Sequence, residues 1–396
     1  MKVYLDNAST TKMSKAAIEA MIPFFEEYYA NPSSLHSMGQ EVKEKLEEAR
    51  AAVAKALGAN PEEIYFTSGG SEADNQAILS ASKIGERKGK KHIVTTAFEH
   101  HAVLHTLAKL EKQGFEVTYL PVGSEGNVSA AEVAAAIRED TCLVTAMSAN
   151  NEIGSVLPIA EIGAVCREKK VLFHTDAVQA VGHIPMNVSE MKIDLLSLSA
   201  HKFHGPKGVG VLFARKGVAL SNLIEGGAQE RGRRAGTENL SGIAGLAAAL
   251  TEATEHLTEN AKRVARLRDK LISGLSAIPH SVLNGDKENR LPGNVHFCFE
   301  GIEGESLLLL LDEFGIEASS GSACTSGSLD PSHVLLAIGH PHEIAHGSLR
   351  LTLSEYTTEE EIDLALEAIP KVVARLRAMS PIWRDKTEGK KPFILE

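Results

Sequence analysis

Pro158-Ile-Ala-Glu-Ile-Gly-Ala-Val-Cys-Arg-Glu-Lys169 followed by Val171-Leu-Phe-His-Thr175 and then Asp176 is the stretch that decides the fold. The first part reads as a helix, the second as a short buried strand, and the strand ends on a carboxylate. The same alternation continues outward in both directions. Upstream, Ile64-Tyr-Phe66 is a strand followed by Thr67-Ser-Gly-Gly-Ser71 and a helix to about Lys83. His92-Ile-Val-Thr-Thr96 precedes a helix over about 102–113, Phe115–Leu120 is a strand, 130–137 a helix and Leu143–Met147 a strand. Downstream, Ile193-Asp-Leu-Leu-Ser-Leu198 is a strand and Val209-Gly-Val-Leu-Phe213 a hairpin-like return. Short apolar runs alternating with helical patterns imply an α/β fold with a mostly parallel sheet buried between helices.

After about residue 240 the texture changes. A long alanine- and leucine-rich helical segment runs to about Leu275, strand-like pieces such as Asn294–Phe299 alternate with shorter helices, and a helix is expected over 358–379. This reads as a second, smaller α+β domain.

Of the 396 residues, 43% are hydrophobic and 23% charged, which is ample material for a globular core. A net charge of −11 argues against generic binding to nucleic acid or anionic membranes. The start, Met1-Lys-Val-Tyr-Leu-Asp-Asn7, carries no apolar signal core, and the Leu307–Leu311 run is far too short to span a bilayer. The four cysteines lack CxxC spacing, which points to neither a disulfide framework nor a zinc ribbon and fits a reducing cytoplasm.

One cysteine differs from the rest. Cys324 lies in Ser319-Ser-Gly-Ser-Ala-Cys-Thr-Ser-Gly-Ser328, an unbroken run of small residues with nothing bulky to bury a thiol. Such a loop is expected to be solvated and flexible, and its cysteine able to react. Cys142, Cys166 and Cys298 sit in apolar strand or helix patterns and are expected in the core.

In open α/β sheets, ligands bind beyond the carboxyl ends of the strands. Asp176 and Lys202 both follow apolar strands there, in Val171–Asp176 and Ser197-Leu-Ser-Ala-His-Lys202. A lysine that forms a Schiff base and an aspartate that keeps a ring nitrogen protonated are what pyridoxal phosphate needs. Gln179 lies within local reach of Asp176. Thr67-Ser-Gly-Gly-Ser-Glu72 opens a helix whose free N–H groups suit a phosphate, or is an ordinary tight turn. Glu99-His100-His101 and Asn150-Asn151-Glu152 follow two other strands; an imidazole can stack on a flat ring, an amide can bond a ring substituent. Arg350, in Gly347-Ser-Leu-Arg-Leu-Thr352, can pair with a substrate carboxylate, though a surface salt bridge is the commoner fate of an arginine.

With these residues the chain resembles the NifS/IscS-type cysteine desulfurases, pyridoxal-phosphate enzymes of the aspartate-aminotransferase-like fold type I. The resemblance runs from Tyr4-Leu-Asp-Asn7 to about Trp383. It rests on Asn31-Pro-Ser-Ser34, Thr67-Ser-Gly69 with Glu72, Glu99-His100, Asn150-Asn-Glu-Ile-Gly154, His174-Thr-Asp-Ala-Val-Gln179, Ala200-His-Lys202, Glu230-Arg-Gly-Arg-Arg-Ala-Gly-Thr-Glu238 and Ser319-Ser-Gly-Ser-Ala-Cys-Thr-Ser326.

The resemblance implies a large cofactor-binding domain over 15–255 and a small domain of 1–14 with 256–396 that carries the Cys324 loop. It implies that Lys202 carries the cofactor, Asp176 meets its ring nitrogen, and Gln179 and Asn151 lie near its phenolic oxygen. Asn151 would also lie near the substrate amine. His100 would stack on the ring and assist proton transfer. Gly70, Ser71, Ser199 and His201 would form the phosphate cup, completed by Thr237 from the other subunit of a homodimer. Arg350 would hold the carboxylate of L-cysteine, and Cys324 would take the sulfur as a persulfide for an iron–sulfur scaffold or another acceptor. No resident metal is implied; a transient iron–sulfur contact at Cys324 is compatible with the family. The residues after Trp383 end Lys391-Pro-Phe-Ile-Leu-Glu396, a shorter tail than IscS-type members use toward a scaffold, and the stretch 230–239 is more NifS-like. The alternatives are another fold type I lyase or aminotransferase, including selenocysteine lyase. The Cys324 loop argues against the first two, and its length against the last.

Overall fold

Residues 2–320 and 331–395 are described by the structure, a computed structural model. Their strands are β1 (Val3–Tyr4), β2 (Ile64–Thr67), β3 (His92–Thr96), β4 (Glu116–Leu120), β5 (Thr141–Thr145), β6 (Leu172–Asp176), β7 (Leu195–Ser199), β8 (Gly210–Ala214), β9 (Ser281–Leu283), β10 (Asn294–Phe299), β11 (Ile316–Glu317) and β12 (Ser348–Thr352). Seven of them form one sheet in the order β2-β8-β7-β6-β5-β3-β4. Only β8 runs against its neighbours in that sheet, pairing antiparallel with both β2 and β7. This is the hairpin-like return expected at 209–213.

Every residue of β3, β5, β7 and β8 is buried, as a sheet covered on both faces requires. The covering helices begin and end where local chemistry directs. Ser129 and Glu132 form a capping box for the helix Ala130–Ala136, His100 caps His101–Glu111 through its ring, and Gly58 closes Ser37–Leu57 at φ +68°. Because β2, β7, β6, β5 and β3 all point the same way, their carboxyl ends open on one edge. Asp176 is paired in register with Ser197, which brings the ends of β6 and β7 side by side.

The expected long helix over 240–275 is two helices, Leu240–Glu255 and Leu257–Leu275, broken at His256. The two face different cores. Leu246 and Leu250 pack with the seven-stranded sheet, whereas Val264, Leu267 and Leu271 pack with β10, β12 and the helix Glu359–Met379. β12-β10-β9 is an antiparallel sheet, and β1 pairs in parallel with β11, which ties the first residues to this second core. The helix expected at 358–379 forms despite Pro370; Thr358 and Glu361 supply its capping box. Cys142, Cys166 and Cys298 are buried as expected, and burial pushes their thiols up to about 11, 12 and 12. Cys324 lies outside the described residues.

Candidate active site

At the carboxyl edge of the sheet lies a cavity of about 290 Å³. Gly70, Ser71, His100, Asn151, Asp176, Gln179, Ser199, His201, Lys202 and Arg350 all line it. These side chains come from the ends of five strands and from β12, so the fold brings together residues far apart in sequence. Thr237 lines neither this cavity nor the adjoining groove; it is exposed on the segment after the short helix Gln229–Gly232.

Asp176 closes one end. Its Oδ1 accepts from the Val178 amide at 2.9 Å, and the residue is only 5% exposed. Burial raises its pKa, while His100, the Val178 N–H and Lys202 pull the other way. A protonated ring nitrogen would give this carboxylate the counter-charge that burial demands.

Lys202 sits on a single 3-10 turn, Ala200–Lys202, just past the end of β7. Its Nζ donates to the carbonyls of Ala8 at 2.6 Å and Ser9 at 2.9 Å. Gln179 also donates to the Ala8 carbonyl, at 3.0 Å, which leaves its second amide hydrogen for the cavity. The N-terminal segment thus forms a wall of the site.

His100 accepts the Ala102 amide on Nδ1 at 3.1 Å, so the proton of its neutral ring resides on Nε2. Of the two asparagines after β5, Asn150 is structural. Its Oδ1 accepts from the amides of Glu152 and Ile153, and its Nδ2 donates to the Phe98 carbonyl. Asn151 faces the cavity.

The other end of the cavity is built on the helix Gly70–Glu86, whose N-cap, Gly69, is at φ +155° and makes no side-chain cap bond. A Cβ on Gly70 would lie 2.6 Å from Val178 Cγ2, so glycine lets the helix start press against the β6 end. The helix N-terminus with Ser71, Ser199 and His201 is a ready anion cradle. Burial, with Lys202 and Lys207 adding to it, lowers His201 to about 4, so it serves as a neutral hydrogen-bonding group. From here an open groove lined by Thr10, Glu72, Lys207 and Gly208 leads outward. Carboxylate, lysine and anion cradle in one cavity fit pyridoxal phosphate.

Arg350 is 2% exposed. Its Nη1 donates to the Asn151 carbonyl at 3.1 Å and its Nη2 to Ser9 Oγ at 2.7 Å and Asp6 Oδ1 at 3.1 Å. The salt bridge weighed from sequence exists, but buried in the site. Sequence reasoning missed Asp6, Ala8 and Ser9 in these roles, and it missed Asp74, which also lines the cavity. The only signal for Asp74 was its spacing, one helical turn beyond Gly70 on the same face.

The model of the class-V aminotransferase family matches residues 3–365. Cysteine desulfurase IscS of Clostridium botulinum is 55% identical over 392 residues, 98% of each chain. A solved structure of a NifS-like protein superposes with a TM-score of 0.89 at 42% identity, covering 95% of this chain and 100% of that one. A solved chain described as SspA in complex with cysteine covers 90% of this chain and 100% of its own at 37% identity, TM-score 0.79. With that cavity and these relatives, the chain belongs to the class-V aminotransferases and, among them, to the pyridoxal-phosphate-dependent cysteine desulfurases of the IscS/NifS type.

Proposed function

We propose that the cavity takes sulfur from L-cysteine and passes it to Cys324, with the residues in the following roles. Lys202 holds the cofactor and, once displaced by the substrate amine, its Nζ moves the proton at the substrate Cα. Asp176 holds the proton on the ring nitrogen, while Gln179 and Asn151 bond the ring oxygen. Gly70, Ser71, Ser199 and His201 hold the phosphate. His100 covers the ring and lends the Nε2 proton. Arg350 binds the substrate carboxylate. When bound, the cofactor supplies an electron sink that weakens the bond from Cβ to sulfur. The Cys324 thiolate then forms an S–S bond with the substrate sulfur as the Cβ–S bond breaks. The bonding pair stays on the carbon, which takes a proton to become the methyl group of alanine, and the enzyme keeps the persulfide.

What carries this reading is the placement of Lys202, Asp176 and Arg350 around one cavity. The exposed position of Thr237 supports a homodimer in which it reaches the other subunit's phosphate end. The division into a domain of 15–255 and one of 1–14 with 256–396 is supported by the break at His256 and the second core beyond it. An iron–sulfur scaffold or another sulfur-accepting protein would take the persulfide. We place the reaction in the cytoplasm because the spacing of the four cysteines suits neither a disulfide framework nor a zinc ribbon. Among the described residues no helix is long and apolar enough to cross a membrane.

The test is product analysis with L-cysteine and a reducing thiol. Alanine and sulfide in equal amounts are expected, and Cys324→Ala should stop both while the cofactor stays bound. Pyruvate and ammonia would mean β-elimination and would remove the role given to Cys324.

A further inference from the structure

Asp74 has no part in the roles above, yet it is 1% exposed and lines the same cavity. One of its carboxylate oxygens, one from Asp176 and a ring nitrogen of His100 lie within 4.8 Å of one another. The groups facing it come from several elements. β6 brings Asp176, and also His174, whose Nε2 is 3.6 Å from Asp74 Oδ1. β7 brings the Ser197 hydroxyl, and the turn after β3 brings Glu99 and His100.

None of these neutralises an Asp74 anion. Burial lowers His174 to about 3, so its ring is neutral, and that ring is engaged with Thr145 Oγ1 at 2.8 Å and Ser197 Oγ at 3.0 Å. Asp74 Oδ1 has no hydrogen-bond partner among the described residues. Glu99 is a buried carboxyl itself, pushed up to about 8 by burial. Of the other groups in the cavity, His100 and Lys202 act on Asp176. Two carboxylates this close and this deeply buried do not both ionise. Burial, and next the charge of Asp176, drive Asp74 well above the ordinary carboxylate range.

We propose that Asp74 is a positioning residue that carries the proton of the Asp74–Asp176 pair and so leaves Asp176 as the single ionised carboxylate facing the cofactor's ring nitrogen. This rests on the assignment of Asp176 given above. One negative charge then meets one positive charge, and the buried end of the cavity stays neutral overall. An ionised Asp74 would either add a second negative charge there or hand its proton to Asp176 and unseat the ring nitrogen.

Infrared spectroscopy of the cofactor-loaded enzyme at pH 7 tests the proton directly. One protonated-carboxyl C=O component should vanish in Asp74→Asn and persist in Glu99→Gln. Asn is neutral and of the same shape, so Asp74→Asn should also keep the ring nitrogen of ¹⁵N-labelled cofactor protonated and hold cofactor affinity within about threefold, whereas Asp74→Ala should weaken it about tenfold. Should Asp74→Asn not fold, carbonyl-labelled aspartate in the wild-type chain supplies the same reading, through an isotope-shifted protonated component that glutamate cannot give. The proposal is overturned if no protonated component is lost or shifted, if Asp74→Asn deprotonates the ring nitrogen, or if Asp74→Ala binds cofactor as the wild type does. Asp176→Asn separates the two assignments: it should deprotonate the ring nitrogen, and if it does not, the role of Asp176 fails whatever Asp74 shows.

Discussion

Arg350 and Asp6 form an ion pair at 3.1 Å that joins β12 to the N-terminal segment inside the active site. The guanidinium is held from three sides, by Asp6, Ser9 and the Asn151 carbonyl, while its buried Nε has no partner among the described residues. It is therefore oriented before substrate arrives. Lysine keeps the charge but loses the fork. Arg350→Lys should raise KM for L-cysteine about tenfold to a hundredfold, with the cofactor spectrum unchanged. An unaltered KM would show that the substrate carboxylate binds elsewhere.

The crowding at Gly70 gives a second prediction. The methyl of Gly70→Ala would meet Val178 Cγ2 at 2.6 Å, and a β-branched residue beside Asp176 has little room to turn. The helix start should be pushed from the phosphate end, lowering cofactor affinity about tenfold. Gly70→Ala with Val178→Ala should recover most of it, measured by equilibrium dialysis of the cofactor. No recovery would mean that the defect lies in the backbone rather than in this contact.

Much of this arrangement is legible in the order of the residues alone. Strands His92–Thr96 and Asn294–Phe299 fall where expected, because apolar runs bounded by polar residues leave few other solutions. Asp176 and Lys202 stand out because charged side chains at the ends of buried strands are costly without a purpose. What is not legible depends on backbone or on tertiary partners. The carbonyls of Ala8 and Ser9 hold Lys202 without any side-chain signature. Asp74 lies within a helix whose pattern is otherwise ordinary. The break at His256 reflects two cores that call for different helix directions, and local composition does not record that.

A third prediction concerns the small sheet's far side. Lys386 and Glu300 are both almost wholly buried and paired at 2.5 Å, and Glu300 also accepts the amides of Ile394 and Leu395. Burial works against the Glu300 carboxylate, but Lys386 and those amides outweigh it and lower its pKa. Its contribution is therefore present above the unfolded carboxylate value and fades as pH falls through the lower folded one. Lys386→Met strands a buried carboxylate and should cost about 3 kcal/mol. Adding Glu300→Gln to that variant should return part of the loss in urea unfolding. A double variant no more stable than the single one would show that the pair is not the cause.

Glu99 should behave in the opposite sense. Burial pushes its carboxyl up to about 8, against the Thr96 hydroxyl and the Met147 amide, which support the charged form. Between the unfolded carboxylate range near 4 and that value, the folded chain holds a proton that the unfolded chain has released, so stability falls as pH rises through this window. Glu99→Gln keeps an oxygen to accept from Thr96 and Met147 and removes the titration. Its stability should fall less steeply than the wild type's between pH 5 and 8, and the variant should be the more stable of the two at the upper end. Urea midpoints at several pH values would show this as diverging curves. Parallel curves would mean that Glu99 is ionised in the folded chain, and that a positive charge from the cavity has reached it.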